Sequence, residues 1–218
     1  MKKKNRRNFC IALGLLAAFV LWTIGIRLID VQTIGPQDSA VGFATLNGFV
    51  HDLTGVHMQL YTITDWLGLV PVAFIFGFAL LGLIQWIKRK HILKVDGSIL
   101  VLGGFYMVVM AAYLFFERFV INYRPVLIEG FLEASYPSST TLLVMCVMPT
   151  AMMQLCARIK NRILKRCVAV AIAAFIVFMV VGRLVSGVHW LTDIIGGALL
   201  SAGLVMMYHS IIGGKNYE

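Results

Sequence analysis

Six long apolar segments follow one another along the chain, separated by stretches rich in charged and polar residues. Each is close to the roughly 17–25 residues that an α-helix needs to cross a bilayer. The first follows a basic start but lacks a small-x-small cleavage site before a soluble domain, so we expect it to be retained as a helix. The pattern predicts six transmembrane helices: Phe9–Ile26, Trp66–Ile87, Gly97–Phe116, Thr140–Ala157, Cys167–Gly182 and Ile194–Ile212.

The composition favours an all-α membrane protein. Of the 218 residues, 60% are hydrophobic and 13% are charged, about half of the charged share that is usual in soluble domains. A soluble chain of this length could not bury so much apolar side chain in one core. The composition therefore excludes a soluble enzyme, a disordered chain and a secreted disulfide scaffold. Residues 1–218 are predicted to form a single six-helix membrane domain.

The basic residues predict the orientation of the helices. Fourteen of the 19 Lys and Arg residues form three clusters beside apolar segments, at positions 2–7, 88–94 and 158–166. Under the positive-inside rule these clusters are cytoplasmic, which places both termini in the cytoplasm of a multi-pass protein of the cell membrane. We expect them to contact anionic lipid head groups, and we infer no nucleic-acid partner. The outer face then holds Asp30–Asp65, Glu117–Ser139 and Arg183–Asp193.

Three polar residues at the outer ends of the last two helices form the pattern Arg-x5-His-x3-Asp: Arg183, His189 and Asp193. On a helix, His189 and Asp193 share a face, so the carboxylate can hold one imidazole nitrogen. The other nitrogen is then free to act as a nucleophile or a base. Arg183 precedes Gly187, a predicted turn, and can therefore reach the same spot. The alternative is an interfacial His–Asp pair that caps the sixth helix.

Two further groups on the outer face suit phosphate binding. Arg124 precedes Pro125, which holds it on extended backbone suited to a bidentate phosphate contact. Ser138 and Ser139 open the fourth predicted helix, whose free N–H groups and positive end can bind an anion. Each group alone has a simpler explanation. For Arg124 it is an ordinary outer-loop arginine, and for Ser138 and Ser139 it is an N-cap of the helix. Their position at adjacent helix ends of one membrane face favours a joint phosphate site.

These motifs resemble the three-part signature of the type-2 phosphatidic-acid phosphatase superfamily: Lys-x6-Arg-Pro, Pro-Ser-Gly-His and Ser-Arg-x5-His-x3-Asp. The resemblance covers roughly Glu117–Asp193. It implies a six-helix membrane enzyme that cleaves a lipid phosphate without a metal, at a site facing outward. It also implies that His189 attacks phosphorus to form a phosphohistidine and that Asp193 orients it. The implied phosphate ligands are Arg124, Arg183, Ser138 and the backbone N–H of Ser139.

The chain departs from that signature in each motif. Glu117 stands where the family has Lys, Ser139-Thr140 where it has Gly-His, and Gly182 where it has Ser. The missing His protonates the leaving oxygen in the family, and a threonine hydroxyl is too weak an acid to do so near neutral pH. Glu117 also adds a negative charge where phosphate is expected to bind. The candidate substitute acids are Glu117 and Thr140 in the motifs themselves, with Glu129, Glu133, His51 and His57 on the same face.

Three functions remain open. The first is a lipid phosphatase or phosphotransferase acting on a polyprenyl diphosphate, whose phosphate leaving group departs without help from an acid. The second is a lipid phosphatase in which another residue replaces the lost acid. The third is a catalytically impaired protein that binds a phosphorylated lipid. The intact Arg183, His189 and Asp193 argue against the third, because an oriented nucleophile has no evident use in a binding module.

The sequence contains no Walker loop and no pattern of metal ligands, so we infer no nucleotide or metal cofactor. Charged residues cluster at the ends of the predicted helices, whereas a transporter is expected to carry them at mid-membrane. The expected partners are a lipid phosphate substrate and membrane lipids, and no obligate protein partner is inferred. The preferred interpretation is a lipid phosphatase that acts at the outer leaflet.

Overall fold

Helices joined by short connections make up most of the chain. The structure is a computed structural model that describes residues 3–215, and the side chains of residues 5–213. Two 3-10 turns lie at Pro36–Asp38 and Ile92–Lys94, and the described residues contain three isolated β-bridges but no strand. The α-helices are α1 (Lys3–Leu28), α2 (Ala44–Thr54), α3 (Met58–Leu67), α4 (Leu69–Arg89), α5 (Gly97–Arg118), α6 (Ser139–Arg158), α7 (Arg162–Val185) and α8 (Leu191–Lys215).

Six helical stretches of the described chain are long and apolar enough to cross a membrane. The predicted number of spans is therefore confirmed, and the chain is an all-α multi-pass membrane protein. The observed helices are longer than the predicted apolar segments. For example, the predicted span Cys167–Gly182 lies within α7, which covers Arg162–Val185. Polar end residues continue the helix because their long side chains can reach the head-group region. The second span combines α3 and α4 over Met58–Arg89.

The connection between the first two spans is largely helical, which the apolar pattern did not predict. The sequence indicated only an outer segment over Asp30–Asp65, whereas α2 and most of α3 lie within it. With 11 residues, α2 is too short to appear as a span. Its buried Asn47 donates to Thr192 Oγ1 at 2.9 Å and so fixes α2 to the start of α8. Its exposed apolar side chains suit a helix lying at the membrane surface: Leu46, Phe49 and Leu53.

The connections gather at two opposite ends of the helix bundle. At one end the backbone N–H of His57, before α3, donates to the carbonyl of Ser186, after α7, at 3.0 Å. At the other end Asp96 pairs with Arg89 at 2.9 Å and lies 4.0 Å from Arg158. The basic clusters at 88–94 and 158–166 and the motif residues thus lie at opposite ends of the bundle.

Close packing of α6 against α8 brings the second and third motifs together. A Cβ added to Gly197 would lie 3.2 Å from Cβ of Thr141, so the small residue permits the approach. Ser201 Oγ donates to the carbonyl of Gly197 at 2.7 Å and lies 3.3 Å from the carbonyl of Leu142 on α6. The backbone N–H of Ser138 donates to the carbonyl of Asp193 at 3.1 Å. These contacts hold Ser138 of the second motif next to Asp193 of the third motif.

Candidate active site

A tight turn between α7 and α8 positions His189. Gly187 in this turn has a φ of 71°, a conformation that favours glycine. A Cβ at Gly187 would lie 2.0 Å from the carbonyl oxygen of Gly55, so the approach of the α2–α3 connection also requires glycine. The turn predicted at Gly187 is present. His189 lies within it, 3% exposed, before the first residue of α8.

Asp193 reaches His189 through a hydroxyl group. The sequence predicts a direct contact across one helical turn, but Asp193 Oδ2 lies 3.8 Å from His189 Nδ1. Ser135 Oγ lies between them, 3.0 Å from Nδ1, and donates to Oδ2. The prediction of a shared helical face is wrong because His189 precedes α8. At the start of α8, Asp193 instead accepts the backbone N–H of Trp190 at 2.9 Å.

This arrangement fixes the tautomer of His189. Because the Ser135 hydroxyl donates to the carboxylate, its oxygen accepts a hydrogen bond from Nδ1–H of His189. Nε2 then carries the lone pair and accepts from Nη2 of Arg183 at 3.3 Å. The free imidazole nitrogen is therefore directed at a guanidinium group. Asn122 Nδ2, 3.4 Å from Asp193 Oδ1, completes the surroundings of the carboxylate.

Arg183 is a buried cation with an open hydrogen-bond donor. It lies at the end of α7 and is 1% exposed. Its Nη1 lies 3.5 Å from Thr64 Oγ1 and 3.7 Å from Asp65 Oδ1, both on α3. Its Nε has no hydrogen-bond partner among the described residues. A buried donor without a partner is costly, so this position suits an anion that would complete the hydrogen bonding of the guanidinium group.

The segment between α5 and α6 folds back on itself and holds Arg124. The backbone N–H of Arg124 donates to the carbonyl of Glu133 at 3.1 Å, and that of Ser135 donates to the carbonyl of Asn122 at 2.9 Å. These bonds fix Arg124 and Ser135 in one register. Arg124 is 8% exposed, and its Nη1 has no hydrogen-bond partner in the described part of the chain. It is therefore a second buried guanidinium group with a free donor.

Tyr61 of α3 connects the two arginines. Its ring centre lies 4.8 Å from Cζ of Arg183 and 5.9 Å from Cζ of Arg124. Both guanidinium groups are within the range of cation–π attraction to this one ring. Two guanidinium groups are thus held around one aromatic ring, and each has one carboxylate within 4 Å: Asp65 for Arg183 and Glu133 for Arg124.

The second motif is divided between two roles. Ser138 is the N-cap of α6, and its Oγ accepts from the backbone N–H of Thr141 at 3.4 Å. Ser139 is half-buried and lines the same cavity as Arg124. Thr140 lines a neighbouring cavity and does not line the one that holds Arg124. Of these residues only Ser139 lines the cavity that holds Arg124, whereas Ser138 is fully buried as the cap of α6 and Thr140 lines only the neighbouring cavity.

Two adjoining cavities open beside these residues. The polar cavity has a volume of about 530 Å³ and is lined by Arg124, Ser135 and Glu117, among others. The apolar cavity has a volume of about 470 Å³ and is lined mainly by aliphatic and aromatic side chains of α4, α5 and α6. His189 lines neither cavity and contacts the polar one through Ser135. The two cavities share Tyr113, Ser139 and Leu142.

Burial keeps His189 uncharged. Its pKa lies well below the ordinary value of 6.5, first because burial disfavours the charged form and then because Arg183 and Arg124 repel a proton. An interaction with the backbone of Ser135 raises the pKa but is weaker. The imidazole is therefore neutral near pH 7, so Nε2 keeps the lone pair that a nucleophile needs, and this lone pair accepts from Arg183 in the structure.

Comparisons with known proteins found one family model and one solved structure that resemble this chain. The family model described as the PAP2 superfamily matches residues 118–217, a range that includes Arg124, the second motif and the third motif. Over these residues, just under half of the chain, the protein is similar to the PAP2 superfamily. The crystal structure titled as the first transmembrane PAP2 type phosphatidylglycerolphosphate phosphatase from Bacillus subtilis is similar, with a TM-score of 0.62 over 95% of this chain and 97% of that chain. Its sequence identity is 17%, so this likeness shows the shared fold. No curated protein sequence matches the chain.

The candidate site contains residues to which the sequence assigned no role. Ser135 and Asn122 lie within three residues of predicted motifs, so their polar character close to Ser138 and Arg124 was a usable signal. Tyr61 and Thr64 had no such signal, because Thr64 is separated from Arg183 by 119 positions. Only the packing of α3 against α7 brings them to the motif residues.

The candidate substitute acids separate into two groups. Glu117 and Glu133 line the polar cavity beside Arg124, whereas Glu129, His51 and His57 do not. His51 packs against Trp190 with ring centres 5.5 Å apart, and burial lowers its pKa. His57 hydrogen-bonds to the carbonyl of Thr54 at 2.9 Å. The carboxylates of Glu117 and Glu133 are therefore the candidate acids that line the polar cavity.

Proposed function

We propose that the protein is a membrane phosphatase that removes phosphate from a lipid phosphate or a polyprenyl diphosphate at the outer leaflet. One observation carries the proposal: Nε2 of the neutral, buried His189 accepts a hydrogen bond from Arg183, and Arg183 and Arg124, which flank the ring of Tyr61, each have an unpartnered donor. A nucleophile beside two anion-binding groups is the arrangement that phosphoryl transfer requires.

The proposed reaction has two steps. In the first, Nε2 of His189 attacks phosphorus, the P–N bond forms, and the P–O bond to the leaving group breaks. Arg183 and Arg124 stabilise the charge that develops on the phosphoryl oxygens, with Ser138 and the backbone N–H of Ser139 as further proposed ligands. Asp193, through Ser135, stabilises the positive charge on the imidazole. In the second step water attacks the phosphohistidine, inorganic phosphate is released and His189 is regenerated.

The adjoining cavities support a lipid as the substrate. The polar cavity beside Arg124 suits a phosphorylated head group, and the apolar cavity next to it suits the start of a hydrocarbon chain. Because Tyr113, Ser139 and Leu142 border both, one amphiphile can occupy the two together. We propose that residues 1–218 act as one domain in this reaction.

The distribution of charge supports the outer leaflet. The basic clusters at 88–94 and 158–166 lie at the bundle end opposite the site, and the positive-inside rule makes that end cytoplasmic. Both termini are then cytoplasmic in a protein of the cell membrane. The site end faces outward and receives lipids from the outer leaflet.

The site lacks the histidine that would protonate the leaving oxygen, because Thr140 stands at that motif position. Thr140 also lines a different cavity from Arg124. A lipid diphosphate is therefore the better substrate, because its leaving group is a phosphate anion that is stable without a proton. A positioned general acid contributes about 10²–10⁴-fold, so a diphosphate is expected to react faster than a monoester by that order if no acid replaces the histidine. Glu117 in the polar cavity is the proposed substitute acid for monoesters, and Glu117→Gln would then slow them selectively.

Phosphate release from purified protein tests the proposal directly. We expect release from at least one member of a panel of lipid monophosphates and diphosphates, and its loss in His189→Ala. His57→Ala is the matched control, because it removes a histidine of the same bundle end that lines neither cavity. Full activity in His189→Ala contradicts the mechanism.

The products distinguish hydrolysis from the alternatives. Inorganic phosphate indicates hydrolysis, whereas transfer of phosphate to an added lipid alcohol indicates phosphotransfer through the same phosphohistidine. Binding of lipid phosphates without any turnover indicates the catalytically impaired protein that the sequence left open.

A further inference from the structure

One side of α2 is apolar, exposed and uncovered by the rest of the described chain. Leu46, Phe49 and Leu53 are 41%, 66% and 74% exposed. Residues three and seven positions apart recur on one face of an α-helix, so these three side chains form an apolar stripe along α2. Thr45 and Asp52 are also exposed but lie beside the stripe. The exposed surface of α2 is therefore divided into an apolar stripe and a polar edge.

The opposite side of α2 is fixed to the protein. Asn47 is 0% exposed and makes two hydrogen bonds with Thr192, donating to its Oγ1 at 2.9 Å and accepting from its backbone N–H at 3.2 Å. His51 packs against Trp190 with ring centres 5.5 Å apart. Because these contacts hold one face of α2 against the start of α8, the apolar stripe has a fixed direction, away from the protein.

The helix α2 lies level with the ends of two membrane spans. Asn47 contacts Thr192, the second residue of the last span. A Cβ added to Gly42, shortly before α2, would lie 1.7 Å from the carbonyl oxygen of Ile26, near the end of the first span. The ends of the spans lie at the boundary between hydrocarbon and head groups, which is the depth at which amphipathic helices bind a bilayer.

We propose that α2 inserts the apolar stripe into the leaflet at the end of the bundle that carries the motif residues, and that this contact holds the turn of His189 in place. The partner is the boundary between acyl chains and head groups, and Thr45 and Asp52 face the water. A second copy of the chain fits the stripe less well, because three side chains cover far less than the roughly 800 Å² per subunit of a standard protein interface.

The end of α2 connects this membrane contact to His189. Gly55 follows α2 directly, and its carbonyl oxygen would lie 2.0 Å from a Cβ added to Gly187, in the turn before His189. His51, in the last turn of α2, packs against Trp190, which follows His189 in the chain. With α2 out of the leaflet both contacts lose their anchor, so the turn opens more often.

Nitroxide labels test the position of α2. In a protein whose native cysteines are replaced, Phe49→Cys, Leu53→Cys and the matched control Asp52→Cys are labelled one at a time in phosphatidylcholine nanodiscs. Dissolved oxygen concentrates in hydrocarbon, whereas a nickel chelate stays in water. We expect the labels at 49 and 53 to collide mainly with oxygen, and the label at 52 mainly with the chelate. Collision with the chelate at all three positions overturns the inference. Protection of 49 and 53 from both reagents also overturns it and indicates a protein partner, such as a second copy.

Hydrogen exchange tests the link to His189. In nanodiscs, the double variant Phe49→Gln/Leu53→Gln should speed exchange of the amides of Ser186 and Gly187, which are hydrogen-bonded within the turn. The increase should be about 10-fold or more, because a buried leucine or phenylalanine side chain stabilises its bound state by at least that factor. Amides in the middle of α6 should exchange at an unchanged rate.

The polar edge of α2 supplies the matched control for this exchange. Thr45→Gln/Asp52→Asn changes two exposed residues of the same helix and should leave the amides of Ser186 and Gly187 as slow as in the unmodified protein. Unchanged exchange in Phe49→Gln/Leu53→Gln would contradict the link to the turn, and so would an equal increase throughout α6, which means a general loss of stability. Both measurements use the protein without substrate, so neither depends on the proposed phosphatase activity.

Discussion

At the scale of single residues, the structure gives Ser135 a position between His189 and Asp193 that the sequence motifs do not reveal. It joins His189 to Asp193 by two hydrogen bonds. Ser135→Ala should lower kcat about 10- to 100-fold with little change in KM, because a hydrogen bond to a charged group contributes about 1.5–3 kcal/mol. Steady-state kinetics of phosphate release measure this change.

The control for Ser135 is Ser201→Ala. Ser201 is also buried and hydrogen-bonded, but to backbone carbonyls away from His189. It should keep kcat near that of the unmodified protein. An unchanged kcat in Ser135→Ala would show that Asp193 acts on His189 without the hydroxyl. That result would support the direct contact predicted from the sequence.

His189 also predicts how stability depends on pH. Its pKa in the folded protein lies well below the ordinary value of 6.5, mainly because of burial. The unfolded chain therefore binds a proton that the folded protein does not, and stability falls as the pH drops below 6.5. At about pH 5.5 the loss relative to about pH 8 is at most about 1.4 kcal/mol for this group.

Thermal unfolding in detergent measures this difference. The unmodified protein should lose more Tm between the two pH values than His189→Asn, which keeps a polar side chain but cannot bind the proton. The other described histidines are present in both proteins, so the comparison isolates position 189. An identical fall in both would show that His189 takes up a proton in the folded state at its ordinary pKa.

At the scale of elements, the turn between α7 and α8 determines where the imidazole lies. Gly187→Ala should lower stability by about 2 kcal/mol or more, because its φ of 71° is strained for alanine and its Cβ would meet the backbone of Gly55 at 2.0 Å. The displaced turn should also abolish phosphate release. Thermal unfolding and activity assays check both effects.

Gly130 offers a matched control for this turn. Its φ of 84° is also positive, but nothing lies within 4 Å of a Cβ added there. Gly130→Ala therefore introduces the conformational strain without the steric clash. It should lower stability by about 1–2 kcal/mol, which is less than the loss expected for Gly187→Ala. Equal losses for the two variants would mean that the contact between Gly187 and Gly55 does not fix the turn.

At the scale of the whole molecule, the charge distribution predicts the orientation in the membrane. In a protein whose native cysteines are replaced, a cysteine at Glu129 should react with a membrane-impermeant maleimide in intact cells. A cysteine at Lys90 should react only after permeabilisation. Both positions are exposed and lie in connections at opposite ends of the bundle, so neither depends on partial unfolding. The opposite labelling pattern would place the site on the cytoplasmic side and exclude an outer-leaflet substrate.

The sequence by itself determined the membrane architecture and the residue types of the site. Six apolar segments specify six spans because insertion into a bilayer depends on local composition and length, which are visible without knowledge of the fold. The motif residues could be identified for the same reason, since each lies in a short local pattern. The turn at Gly187 and the cap at Ser138 are also local, and both are present.

Only the tertiary structure revealed how the site is assembled. Ser135 enters between His189 and Asp193, and Tyr61 lies against both arginines, through contacts between segments distant along the chain. His189 lies off the helix because Gly187 packs against Gly55, a contact that no local pattern encodes. The two carboxylates beside Arg124 share a cavity because the segment between α5 and α6 folds back. Local sequence fixes which side chains are available, whereas helix packing fixes which of their atoms meet.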